Sequence, residues 1–204
     1  MKMHQTFDYA PGLEYDDDSH SYFYEGSKIA GVTGILESSG LSDFSGVDSE
    51  TLTRAMNFGT AVHSIAEWED MGILGDGNDP KLEPPLHAWR AFKKDFEVQI
   101  LPDYIELAVF SKKYRYAGTL DRICLIGGEH WLIDIKTGVK GISHPIQTAA
   151  YEKAFRELFD FRKKINRACL YISGDAYSLK QHTSVGDWNV FLSALNIKKY
   201  KGVK

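Results

Sequence analysis

The stretch HWLIDIKTG, His130 to Gly138, reads first as a buried β-strand, with Trp131, Leu132, Ile133 and Ile135 as its apolar residues. At its C-terminal end stand Asp134 and Lys136. Residues i and i+2 of a strand point to the same face, so a carboxylate and an ammonium sit side by side at the rim of an apolar element. A solvent-facing Asp–Lys pair is one explanation. A pair that does chemistry is the other, and the flanking segments bear on the choice.

Three β-like segments meet here: 103–111 (DYIELAVFS), 114–126 (YRYAGTLDRICLI) and 130–136. The turn residues between them, KK at 112–113 and GGE at 127–129, predict an antiparallel meander. Pairing about the Gly-Gly turn places Leu125 near Trp131, and hence Asp121 near residue 135, within one position. Two acids at one rim of a sheet repel, and a divalent cation removes that cost. Oxygen ligands favour a hard ion, Mg²⁺ or Mn²⁺, and the carbonyl of Ile135 can add an oxygen from the same strand. Lys136 can then orient or deprotonate a water, or stabilise charge building on a phosphoryl group.

The rest of the chain surrounds this meander. HSYFYEGSKIAGV predicts a β-hairpin over 20–32, and VTGILESSG a short helix or turn. Residues 40–48 and 72–85 are loop-like. Asp48 or Ser49 is set to cap a helix running to Asp70, with Leu52, Met56, Val62, Ile65 and Trp68 roughly on one face. A second helix fits 85–97. After the meander, Ser143 can cap a helix that has Pro145 in its first turn. NRACLYIS (166–173) is a strand that AYSLKQH (176–182) can pair with, and 185–201 is helical. The expected fold is α/β: a mixed central sheet flanked by helices on both faces. A length of 204 residues suits one domain, 1–204, with the N-terminal hairpin at 15–40 as an extension.

The net charge of −4 is unevenly spread. Residues 1–110 carry 7 Lys+Arg against 20 Asp+Glu, a net −13; residues 111–204 carry 17 against 8, a net +9. A basic half suits a polyanion such as nucleic acid, and equally a dipolar surface with no partner. Cys124 and Cys169 lie in apolar segments, which fits buried thiols in a reducing cytoplasm. Two cysteines cannot hold an iron–sulfur cluster, which takes four ligands. The sequence contains no apolar leader and no run long enough to span a membrane.

Three further residues draw attention. His63 lies in GTAVHSIAEWED, where Gly59-Thr60 would let the helix approach another backbone closely. It is a structural histidine, a metal ligand or a phosphate contact. Glu67, one turn on, can be a further acid, although the run Glu67-Trp68-Glu69-Asp70 reads better as solvated. Gln147 and Tyr151 are four apart, on one face of the helix that follows the meander. They are either an ordinary polar pair or neutral donors to phosphate and sugar oxygens.

In chain order these segments are a helical G-T-x-x-H, then G-x-L-D, I-D-I-K-T-G and Q-x-x-x-Y. The set resembles the PD-(D/E)XK nuclease superfamily, in the branch with RecB-type domains, and is similar to small phage exonucleases and the mitochondrial genome maintenance exonuclease. The opening HSYFYEGSKIAGVTGIL is similar to their hairpin and SVT-x-IL segment, with Gly31 in place of Ser. The resemblance covers about residues 20–173. It implies a restriction-endonuclease-like core and Mg²⁺- or Mn²⁺-dependent phosphodiester hydrolysis on DNA, in phage or bacterial replication, recombination or repair. By motif, it implies that Asp121, Asp134 and His63 bind metal together with the Ile135 carbonyl, and that Lys136 serves the attacking water. Gln147, Tyr151 and Thr137 would support the site and touch nucleic acid. Three functions follow: an exonuclease acting on single strands or ends, an endonuclease cutting duplex or branched DNA, and a non-catalytic binder on the same fold. The intact Asp121/Asp134/Lys136 set favours the first two. Tyr114, Tyr116, Trp131 and Tyr171 can stack on bases, although core packing accounts for most of them.

Overall fold

The computed structural model describes residues 5–43, 45–75 and 79–202. The loops expected at 40–48 and 72–85 therefore contain positions outside the described residues, Phe44 and 76–78. The chain opens with short strands β1 (Gln5–Thr6), β2 (Leu13–Asp16), β3 (Ser21–Tyr24) and β4 (Ser27–Gly31), followed by helices α1 (Val32–Ser38), α2 (Ser49–Met71) and α3 (Glu83–Asp95). The expected meander is β5 (Gln99–Ser111), β6 (Tyr116–Ile126) and β7 (Glu129–Lys136). Then come α4 (Ser143–Leu158), β8 (Ile165–Ser173), β9 (Ala176–His182) and α5 (Gly186–Gly202).

Among the described residues the strands form one mixed nine-stranded sheet flanked by five helices, consistent with a restriction-endonuclease-like α/β core. β7 and β8 run parallel and are joined by α4, a crossover unit that needs both faces covered. On one face α1, α4 and α5 bury Ile35, Leu36, Ile146, Phe155 and Phe191 against Leu107, Leu120 and Leu132. On the other, Val62 of α2 and Trp89 and Phe92 of α3 cover Ile133, Ile135 and Leu170. Each such large side chain contributes roughly 1.5–3 kcal/mol through burial. Cys124 and Cys169 are both buried thiols.

The β6–β7 hairpin turns at Gly127 and Gly128, whose φ of 57° and 77° suit the two central positions of a tight hairpin turn. The register differs by one from the expectation: Trp131 faces Cys124, and His130 faces Leu125. The turn takes only the two glycines, because Glu129 already pairs with Ile126. Asp121 is thereby brought level with Asp134, one step beyond the Arg122–Ile133 pair.

β6 has a further property that decides where the site lies. β5 pairs along one of its edges from Tyr116 to Leu125. The other edge is divided: β4 pairs with Tyr116 and Ala117, and β7 with Arg122 to Ile126. Residues 118–121 face a gap between those two strands.

Two helical expectations are corrected. Met56 is 63 % and Trp68 45 % exposed, so the apolar positions of α2 do not form one buried face; its buried residues are Val62, Ile65 and Ala66. The helix outruns the surface beneath it, and its N-terminal half projects. Ser143 is the first residue of α4 and not its cap, which is Ile142 and has no side-chain cap bond. Asp48 does cap α2, accepting from the Thr51 N–H at 2.9 Å.

Candidate active site

The site is assembled where β5, β6 and β7 lie side by side. Asp121 of β6 is buried, and its Oδ2 accepts the Ile135 N–H at 2.5 Å, which ties it to the end of β7. On the β5 side, Glu106 lies between the pairs Ile105–Arg122 and Leu107–Leu120. Its φ of +43° is a left-handed conformation in mid-strand, at a cost of about 1–3 kcal/mol that is characteristic of functional positions. Nothing in the sequence singled out Glu106. An acid inside the apolar run YIELAVF was the available signal.

His63 of α2 completes the group. Its Nδ1 is 3.5 Å from Glu106 Oε1 and 3.6 Å from Asp121 Oδ2, while its Nε2 meets the Ile135 carbonyl at 3.1 Å. With Nε2–H given to that carbonyl, Nδ1 is the nitrogen turned toward the acids, the second-contact orientation common in histidine metal ligands. Burial alone would lower the His63 pKa, but the Asp121 and Glu106 carboxylates outweigh it and raise it to about 9. One ligand atom each from His63, Glu106 and Asp121 lie within 4.8 Å of one another, so these three can hold a metal ion. The carbonyl of Ile135, expected as a metal ligand, also meets His63 Nε2 and so helps orient that ring.

Asp134 stands level with Asp121 but is engaged differently. Its Oδ2 receives Lys136 Nζ at 2.7 Å and the Cys169 thiol at 3.4 Å. Its Oδ1 is buried and has no partner among the described residues. Such an acceptor costs roughly 1–3 kcal/mol unless something satisfies it. Burial raises the pKa of Asp134 and of Asp121, against the pull of Lys136 and His63 respectively. Burial opposes the charge on Lys136, but Asp134 and Asp121 more than compensate and hold its pKa above the ordinary lysine value. The His63 nitrogen and the Glu106 and Asp121 oxygens, one ligand atom from each lying within 4.8 Å of the others, fit a hard divalent cation.

The remaining expected residues surround this group. The Gln147 amide donates to the Tyr151 hydroxyl at 2.8 Å, and the buried Tyr151 ring rests over Gly118. A Cβ at 118 would come within 2.6 Å of that ring, so only glycine fits. Among the described residues Thr137 makes no hydrogen bond to the acids; its Oγ1 lies 3.3 Å from where a Cβ on Gly59 would be, marking the close approach of α2 to the end of β7. Glu67 is half-buried, with its pKa raised by burial and by the Glu106 charge. Glu69 and Asp70, further along the same run, are engaged by α3, which folds back against them. Arg90 pairs with Glu69 at 2.7 Å, and Asp70 receives Lys93 at 2.7 Å and Trp89 Nε1 at 3.0 Å. Asp70 also binds the fully buried Arg122 at 2.9 Å, whose Nη1 reaches Glu106 at 3.0 Å. Tyr114, Tyr116 and Trp131 pack into the core, and Tyr171 bonds His144 at 2.8 Å.

No family model and no curated protein matches the chain. Among solved structures, the chain is similar to a candidate exonuclease from Eubacterium rectale, at 10 % identity and a TM-score of 0.49, over 82 % of this chain and 71 % of that one. It is also similar to the protein SSO0001, at 19 % identity and a TM-score of 0.37, over 67 % of this chain and 68 % of that one.

Proposed function

We propose that this protein is a divalent-metal-dependent deoxyribonuclease that releases short products from DNA ends or single strands. The observation that carries the reading is the convergence of His63, Glu106 and Asp121, within 4.8 Å, beside the Asp134–Lys136 pair. His63, Glu106 and Asp121 would hold the ion, and the unpartnered Asp134 Oδ1 is a further oxygen available to it. A bound Mg²⁺ or Mn²⁺ would supply Lewis-acid polarisation of the phosphodiester and a more acidic water. The chain does the rest. Asp134 fixes the Lys136 ammonium, whose remaining protons can orient a water or donate to the phosphoryl oxygen that gains charge. Arg122 and His63 hold Glu106, and the Ile135 N–H and His63 hold the buried Asp121. The motif order shared with small phage exonucleases supports end-directed cutting, and the +9 half of the chain supports a polyanionic substrate.

The test uses single-stranded and duplex oligonucleotides labelled at either end, with Mg²⁺, Mn²⁺ or EDTA. Metal-dependent release of short products from one end is expected. Lys136→Ala is expected to cut about 10²-fold more slowly or worse while still binding the oligonucleotide, with its melting temperature recorded as a check on folding. Wild-type cutting rates in a folded Lys136→Ala protein would falsify the role given to Lys136. Internal cuts would replace the exonuclease by an endonuclease. No cutting with any metal would leave a binder.

A further inference from the structure

A cavity of about 850 Å³ opens at the gap on β6. Its floor is Gly118, Thr119 and Tyr151. Thr119 is two residues from Asp121, about 7 Å along a strand, so the cavity begins beside the candidate metal ligands. One wall comes from β3, β4 and the start of α1, and Met56 of the projecting half of α2 also lines it. This is the hairpin segment whose role the metal cluster leaves unexplained.

The wall has a distinct chemistry. The Tyr15 and Tyr22 rings lie 4.8 Å apart, and His20 lies 6.5 Å from Tyr15, a short run of aromatic faces. Tyr15 is half-buried and His20 exposed, so both present surface to a ligand. The Tyr22 hydroxyl bonds Thr119 Oγ1 at 2.7 Å, which fastens the wall to the strand that carries Asp121. Lys28 lines the cavity and is exposed; Lys198 lines it too, with its ammonium bound to the Gly34 carbonyl at 2.7 Å. Glu37 lines the same cavity, so cations outnumber acids only slightly. A ligand here gains more from ring faces than from charge.

We propose that this cleft binds the unpaired nucleotides adjoining the scissile phosphate, with bases against Tyr15 and His20 and a phosphate toward Lys28. The proposal rests on the nuclease reading for the position of the scissile bond. Paired bases inside a duplex expose only their groove edges and cannot reach a tyrosine face, whereas every unpaired base has a π-face to offer. The size lies within the range of about 300–1,000 Å³ typical of ligand pockets, which is room for a few groups of one strand and not for a double helix.

The experiment measures binding without turnover, by fluorescence anisotropy in EDTA. The probes are a labelled single-stranded oligonucleotide and a blunt hairpin duplex of the same length. The single strand is expected to bind more tightly than the duplex. Tyr15→Ala is expected to weaken single-strand binding about fivefold or more, and Lys28→Glu also to weaken it. Lys94→Glu, at an exposed position of α3 that does not line the cleft, makes the same charge change and is expected to leave affinity unchanged. Melting temperatures confirm that each variant is folded. Wild-type affinity in both folded cleft variants, or equal affinity for duplex, overturns the proposal. A wild-type chain that binds single strands through Tyr15 but cuts nothing sinks the nuclease reading and leaves the cleft. A chain that cuts normally but binds indifferently to these changes does the reverse.

Discussion

Glu106 shows how one residue can decide a site. It shares its Oε1 between Arg122 and His63 from a left-handed position in mid-strand. Glu106→Gln keeps the shape and removes the charge. Isothermal titration with Mn²⁺ is expected to show affinity falling about tenfold or more; unchanged affinity would remove Glu106 from the ligand set. Gly118 acts by having no side chain. Gly118→Ala drives a methyl to 2.6 Å from the Tyr151 ring and 3.1 Å from Val32, and is expected to cost about 1–3 kcal/mol in urea unfolding. Asp121, Asp134, Lys136 and His63 are legible in the sequence because each stands out locally, as an acid or base at the end of an apolar run or after a Gly-Thr step. Glu106 is not. IELAVF reads as a strand with one outward acid, and only the pairing of β5 with β6 sets it beside Asp121. Arg122 is hidden for a similar reason: its partner Asp70 lies on α2, 52 residues earlier.

At the scale of elements, α2 and α4 behave differently. The first half of α2 is largely exposed and leans on its Asp48 cap. Asp48→Ala is expected to lower the urea midpoint, with faster amide exchange confined to the turns before Val62. The apolar spacing of α2 is real, but period alone cannot tell a buried face from a projecting one. For α4, the His144 Nδ1 accepts from the Tyr171 hydroxyl at 2.8 Å and the Gly141 N–H at 3.3 Å. Burial, helped by Lys136, lowers the His144 pKa to about 4 from its usual 6.5. The unfolded chain therefore takes up this proton first, and the contribution present above pH 6.5 is lost as pH falls toward 4. After allowance for solvent screening, this is about 1–2 kcal/mol. Urea midpoints at pH 7 and pH 4.5 are expected to diverge less in His144→Gln than in the wild type. An equal acid loss in both would assign the effect to other groups.

At the scale of the molecule, the helices on both faces and the β5–β6–β7 meander follow from local patterning: apolar runs of strand length, turn residues between them and amphipathic stretches around them. The division of the β6 edge does not, because it depends on β4 reaching a strand far along the chain. Ala30 pairs with Tyr116, and between them lie α1, α2, α3 and β5. That separation has a kinetic meaning. Asp121 and Glu106 come from neighbouring strands of a local meander, whose loops close early and cheaply, while the β4 wall must wait for a closure of far higher contact order. In refolding followed by stopped flow, recovery of single-strand binding is expected to lag behind the burial of Trp131, and a chain caught in that interval would have its carboxylates aligned before it had anywhere to seat a strand.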